Sequence, residues 1–103
     1  MLCIGIDIGG TKCAVTIGND SGEILWKRAF ATANTDETLR QLHALAEEAA
    51  ETARTTYHTA PAAVGISCGG PLDSRRGIIQ SPPNLPGWDN IPITAALTAR
   101  LGI

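Results

Sequence analysis

The start of this chain restricts its fold more than any other segment. From Leu2 to Ile8, large apolar side chains (Leu2, Ile4, Ile6, Ile8) alternate with small or polar ones (Cys3, Gly5, Asp7). That is the period-two pattern of a β-strand, and the small partners predict that something approaches the second face closely. Gly9 and Gly10 turn the chain, and Cys13, Val15 and Ile17 then resume the alternation on one face. Two such runs around a short glycine turn predict a β-hairpin.

The residues at the tip suggest what the hairpin does. Phosphate binding requires backbone N–H groups that converge on one spot with no Cβ in the way. A tight hairpin turn supplies the first condition, and Gly9 and Gly10 the second. Thr11 adds a hydroxyl donor and Lys12 a positive charge. Asp7 repels phosphate but is suited to holding Mg²⁺, directly or through water, and the ion would bridge the nucleotide's oxygens. The alternative is an ordinary hairpin with a Gly-Gly turn. An Asp in an apolar strand two residues before the glycines, with Thr-Lys after them, favours the functional reading. The P-loop spacing is absent, and a dinucleotide fingerprint would open a helix rather than a hairpin.

Asn19-Asp20-Ser21-Gly22 is a second turn. Glu23 to Thr32 then reads as a third antiparallel strand, with Ile24, Trp26 and Phe30 on one parity. The period changes at Asn34, which with Glu37 resembles a capping box, Thr35 being an equally good N-cap. Leu39, Leu42, Leu45, Ala46, Ala49, Ala50 and Ala53 follow at three- and four-residue intervals, opposite Glu47, Glu48, Glu51 and Arg54. This predicts an amphipathic helix of about five turns. His43 and His58 have no carboxylate or cysteine at ligand spacing and read as surface residues. After Pro61, the apolar run Ala62 to Ser67 predicts a parallel strand buried on both faces. Cys68 to Asn90 is a long loop of Gly, Pro, Ser and Asn, strand-like only from Gly77 to Gln80, and loops of that length are usually functional. A last helix is expected from about Pro92 through Ala95, Ala96, Leu97 and Leu101. The order predicts an α/β layer with a mixed sheet, the first hairpin at its centre and helices outside.

A chain of 103 residues allows one domain. With 44% apolar and 17% charged residues it has the balance of a globular protein. The formal charge of -2 is scattered, so no basic patch offers contact with nucleic acid. No apolar run approaches the roughly 20 residues of a membrane span, and no secretion signal precedes the first strand. A cytoplasmic location is expected. Cys3, Cys13 and Cys68 lie in apolar runs without metal-ligand spacing, which favours buried thiols over a zinc site or a disulfide.

Gly5-Ile6-Asp7-Ile8-Gly9-Gly10-Thr11-Lys12 resembles the first phosphate motif of the ROK family (repressors, open reading frames and kinases), which are sugar kinases of the actin and hexokinase superfamily with a ribonuclease H-like fold. Gly65-Ile66-Ser67-Cys68-Gly69-Gly70-Pro71-Leu72-Asp73 is similar to the family's strand-and-glycine segment, and Ser81-Pro82-Pro83-Asn84-Leu85-Pro86-Gly87-Trp88 to its sugar-site loop. The resemblance covers essentially all 103 residues, with the motifs in order and spacing. The resemblance implies ATP and Mg²⁺ as cofactors, with the phosphates on Gly9, Gly10, Thr11 and Lys12 and the metal on Asp7. It implies a hexose or amino sugar contacted by Gly70 and Asn84. Asn84 offers both a donor and an acceptor, and its flanking prolines lower the entropy cost of ordering the loop. Trp88 reads more readily as a wedge under the loop than as a sugar-stacking surface, and Asp73 and Asp89 as turn caps rather than bases.

The resemblance also implies that residues 1–103 form the first lobe of such a kinase. The family's catalytic aspartate, zinc site and adenosine pocket would lie further along, in a second lobe. No catalytic residue is therefore assigned, and these residues alone are expected not to phosphorylate sugars at a useful rate. Full-length relatives commonly pair, so a homodimer is expected of the parent protein. The second reading is the sugar-sensing part of a transcriptional repressor of the same family. A strand beginning at Leu2 leaves no room for an upstream helix-turn-helix, which favours the kinase. The third reading is a folded interaction domain without enzymatic activity.

Overall fold

The alternation read in the first two strands produces a sheet with one apolar and one open face. The computed structural model describes residues 1–103. β1 (Leu2–Ile8) and β2 (Lys12–Asn19) form the antiparallel hairpin, and β3 (Ile24–Ala31) extends it as a meander. α1 (Thr35–Thr55) then leads to β4 (Ala63–Cys68), which pairs parallel with β1. The sheet order is β3-β2-β1-β4, with the hairpin at the centre. β5 (Leu72–Asp73) and β6 (Ile78–Ile79) make a small separate ladder, and α2 (Ile93–Leu101) closes the chain.

Ile4, Ile6, Ile8, Cys13, Val15 and Ile17 are buried on one face of the sheet, against Leu42, Ala46, Ala49, Ala50 and Ala53 of α1. The run of alanines lets the helix lie close to the strands, so methyl groups rather than aromatic rings fill the interface. Asn34 caps α1 by accepting the Glu37 N–H at 2.9 Å. The reciprocal half of a capping box is absent, because the Glu37 carboxylate accepts from Arg40 and Gln41 instead. Thr38 accepts the N–H of Ala33, the residue before the cap, at 2.9 Å. α2 follows Pro92 and ends at Gly102, whose φ of 75° is the left-handed C-cap that glycine favours.

Four expectations are corrected. β4 is not buried on both faces: it is an edge strand, and its Ala63, Gly65 and Ser67 are exposed while Val64, Ile66 and Cys68 are half-buried. His43 is buried, because α2 lies against its part of α1 and Arg100 bonds Glu47 one turn further on. Ile24 is exposed, since a register shift between Ile17 and Gly18 separates it from the half-buried Trp26 and Phe30. Of the three cysteines only Cys13 is buried; Cys3 and Cys68, near strand ends, are half-exposed, and all three thiols are free. His58 is exposed as expected.

Candidate functional site

The open face of the sheet is built from small side chains. Register places Ala14, Asp7 and Ser67 in one row across β2, β1 and β4, and Thr16, Gly5 and Gly65 in the next. With so little side-chain volume above the strands, these rows floor a trough of about 400 Å³. The second face of β1 is thus left open by this chain rather than closely packed. Asp7 is exposed at the end of the trough nearest the hairpin tip, and no hydrogen bond or ion pair engages its carboxylate. Lys12 has the same parity as Ala14, so its side chain leaves the sheet on the side that carries Asp7.

At the tip, Gly9 donates its N–H to the Lys12 carbonyl at 3.1 Å, and Gly10 and Thr11 make the two-residue connection. None of the chain's turn or side-chain hydrogen bonds uses the N–H of Gly10, Thr11 or Lys12. The glycines serve space rather than unusual φ, since neither lies in the left-handed region. A Cβ on Gly9 would stand 2.7 Å from the Lys12 carbonyl oxygen, and one on Gly10 2.7 Å from that of Asn84.

The contact with Asn84 is the feature that assembles the site. Asn84 lies 74 positions after Gly10, yet its backbone rests on the turn, and its Oδ1 lies 3.6 Å from where a Gly69 Cβ would be. The loop is anchored from below by Leu85 and Trp88, which are 2% and 1% exposed, and by the Ser81 N–H donated to the Trp88 carbonyl at 2.8 Å. Trp88 is therefore a wedge beneath the loop. The glycine turn, Gly69 and Asn84 come together; Gly70, which precedes a cis peptide to Pro71, faces the Leu72 backbone instead.

The nearby acids are otherwise engaged. Asp73 accepts the N–H groups of Arg75 and Arg76 at 3.1 Å each, and Asp89 accepts the Ser81 hydroxyl. Asp73 is the turn cap read from the sequence, whereas Asp89 ties the two ends of the loop through the Ser81 side chain and caps no backbone N–H. Cys68 ends β4 beside the site; burial pushes its thiol above the usual value, and the nearness of Cys13 and Asp7 adds to the shift. No group of three or more His, Cys, Asp or Glu residues is placed to hold a metal ion. The donor set fits a Mg²⁺ that keeps its waters and is held by one carboxylate together with a ligand's phosphates. The free amides at the turn fit a phosphate.

Two residues near the site escaped the sequence reading. Ser67 stands beside Asp7, and its signal was the one that singled out Asp7, a polar residue within an apolar strand. Thr32 bonds the turn through both its backbone and its hydroxyl, and no local pattern marks it.

The ROK family model matches residues 3–103. The chain belongs to the ROK family. A glucokinase of Thermotoga maritima is 31% identical over 102 residues, covering 96% of this chain and 30% of that protein. The crystal structure of a ROK family glucokinase from Streptomyces griseus, in complex with glucose and AMPPNP, superposes with a TM-score of 0.81 at 30% identity, over all of this chain and 31% of that one. A ROK family transcriptional regulator, a homologue of the E. coli MLC protein, shares the fold (TM-score 0.80, 17% identity, 99% of this chain and 26% of that one). The chain spans just under a third of the length of the glucokinases it matches and is homologous to their N-terminal part. Its fold is that of the N-terminal lobe of the actin-like ROK kinases. No helix is long and apolar enough to cross a membrane.

Proposed function

We propose that these residues are the phosphate-binding and sugar-facing N-terminal part of an ATP-dependent hexose or amino-sugar kinase. The observation that carries this reading is the turn: three unused amides and Lys12 lie at the tip, the Asn84 loop rests on Gly10, and the unpaired Asp7 is on the adjoining face. In this reading the N–H groups of Gly10, Thr11 and Lys12 bind phosphate oxygens, and Lys12 balances their charge. Asp7 holds Mg²⁺, directly or through water, and the ion when bound neutralises charge on the transferring group. Asn84 orients sugar hydroxyls from the adjoining loop, and Gly69 keeps backbone free of side-chain bulk beside it. The complex of the S. griseus glucokinase with glucose and AMPPNP supports the pairing of nucleotide and sugar.

Asp73 accepts the N–H groups of Arg75 and Arg76, Asp89 accepts the Ser81 hydroxyl, and this reading assigns Asp7 to the metal. No carboxylate is left to take a proton from a sugar hydroxyl, so these 103 residues bind but do not transfer. The parent protein is taken as a cytoplasmic homodimer.

Calorimetric titration with Mg·ATP, glucose, fructose and N-acetylmannosamine tests the reading. Saturable binding of Mg·ATP that needs Mg²⁺, together with binding of at least one sugar, is the expected result. A folded chain that takes neither nucleotide nor sugar would overturn it, and robust ATP-dependent phosphorylation would overturn the statement on transfer. The likeness to a transcriptional regulator does not outweigh the kinase reading, since the free amides at the turn suit a phosphate ligand.

A further inference from the structure

Thr32 is the first residue after β3 and reaches the hairpin twice. Its backbone N–H donates to the Thr11 carbonyl at 2.9 Å, and its hydroxyl donates to the Gly9 carbonyl at 2.7 Å. The Cys13 thiol lies 3.4 Å from the same hydroxyl and 3.9 Å from the Gly9 oxygen, so the Gly9 carbonyl is held from the β3 side. A trans peptide is planar, with its C=O and N–H on opposite sides. Fixing the Gly9 carbonyl on Thr32 therefore aims the Gly10 N–H the other way. Fixing the Thr11 carbonyl does the same for the Lys12 N–H. Both amides are among those the chain leaves unused.

We infer that Thr32 is a positioning residue that sets the direction of the Gly10 and Lys12 amides toward an anionic ligand. The inference rests on the kinase reading for the identity of that ligand, the phosphates of Mg·ATP, but not for the geometry of the turn. Three residues further on, the Thr35 hydroxyl donates to the Pro86 carbonyl at 3.2 Å. The same connector therefore braces the Asn84 loop by a separate bond, which supplies a control.

The test compares Thr32→Val, which keeps the shape and loses the hydroxyl, with Thr32→Ser, which keeps the hydroxyl, and with Thr35→Val. Amide hydrogen exchange is followed by NMR without ligand, and Mg·ATP and glucose are titrated in parallel. In Thr32→Val, exchange at the Gly9 and Thr32 amides rises about tenfold while β4 and α1 keep their protection, as expected for the loss of one hydrogen bond. Mg·ATP affinity falls by about the same factor and glucose affinity does not change. Thr32→Ser restores both, and Thr35→Val leaves the turn amides as they were. Wild-type exchange and wild-type Mg·ATP affinity in Thr32→Val would overturn the inference, as would failure of Thr32→Ser to restore them. If Thr32→Val does not fold, the decision falls to the wild-type chain, where Mg·ATP should slow exchange at Gly9 and Thr32; unchanged rates in the bound state would overturn the assignment. Faster turn exchange in Thr32→Val, in a chain whose wild type takes no Mg·ATP, upholds the positioning role and removes the kinase reading alone.

Discussion

Replacing Gly10 by alanine tests the packing of one motif on another, and its cost can be worked from the structure. The new Cβ would stand 2.7 Å from the Asn84 carbonyl oxygen, 3.1 Å from Asn84 Cβ and 3.2 Å from its Nδ2. Ordinary contact begins near 3.4 Å, so the turn and the loop must part by about 0.7 Å. The obstacle is backbone, and the loop cannot retreat freely because Leu85 and Trp88 are buried beneath it. Overpacking of this kind costs about 1–3 kcal/mol. Gly10 does not occupy the left-handed region, so alanine also restricts the unfolded chain, which returns about 0.4–1 kcal/mol. The net expectation is a loss of about 1–2 kcal/mol, or a Tm lower by roughly 5–15 °C for a domain of this size. Gly65→Ala is the matched control: nothing lies within 4 Å of its Cβ position, and in a strand the change should be neutral or stabilising by about 0.5–1 kcal/mol. Thermal and urea unfolding followed by far-UV circular dichroism would measure both. A Gly10→Ala chain that melts at or above the wild type refutes the reasoning, as does a Gly65→Ala chain that loses as much.

Asp7→Asn should leave stability within about 0.5 kcal/mol, because the carboxylate is exposed and engages nothing, yet abolish the Mg²⁺ dependence of ATP binding; a large fall in Tm would make Asp7 structural instead. His43 is held below its ordinary pKa of 6.5 chiefly by burial, with Arg100 adding to the shift and Glu47 opposing it, and its Nδ1 has no partner. A depressed value in the fold means that the stability His43 confers is complete above the ordinary value and is lost as pH falls through the lower, folded one. The urea midpoint should therefore drop on acidification from pH 7 more steeply in the wild type than in His43→Leu, and parallel curves would exclude His43 as the cause. Asn34→Ala removes the side-chain cap on the Glu37 N–H and should cost about 1 kcal/mol, read as a shift in the urea midpoint at unchanged slope.

Local patterns carried most of the framework. The alternation from Leu2 to Ile17, the Gly9-Gly10 turn, the cap at Asn34, the three- and four-residue spacing of leucines and alanines, and the Pro92 start of α2 all act between residues a few positions apart. Each could be read without knowing what lies across the fold. The glycine turn at the hairpin tip was legible for the same reason, its amides and glycines being neighbours in the chain. Burial on a second layer was not. Ala62 to Ser67 reads as a strand covered on both sides, but whether Gly65 and Ser67 are covered depends on whether another element sits above them, and none does within this chain. His43 occupies a helix position that only the docking of α2 turns from surface into interior.

By itself, then, the sequence determined the elements, their order and the chemistry available at the hairpin tip, because hydrophobic periodicity and turn preference are short-range. The tertiary structure decided that Asn84 rests on Gly10, that Thr32 holds the carbonyls of Gly9 and Thr11, and that Asp7 stands unpaired beside Ser67 above an open trough. Those contacts join residues 21 to 74 positions apart, and they depend on strand register and on a loop wedged by Trp88. No local preference encodes such distances; they follow from how the whole core packs.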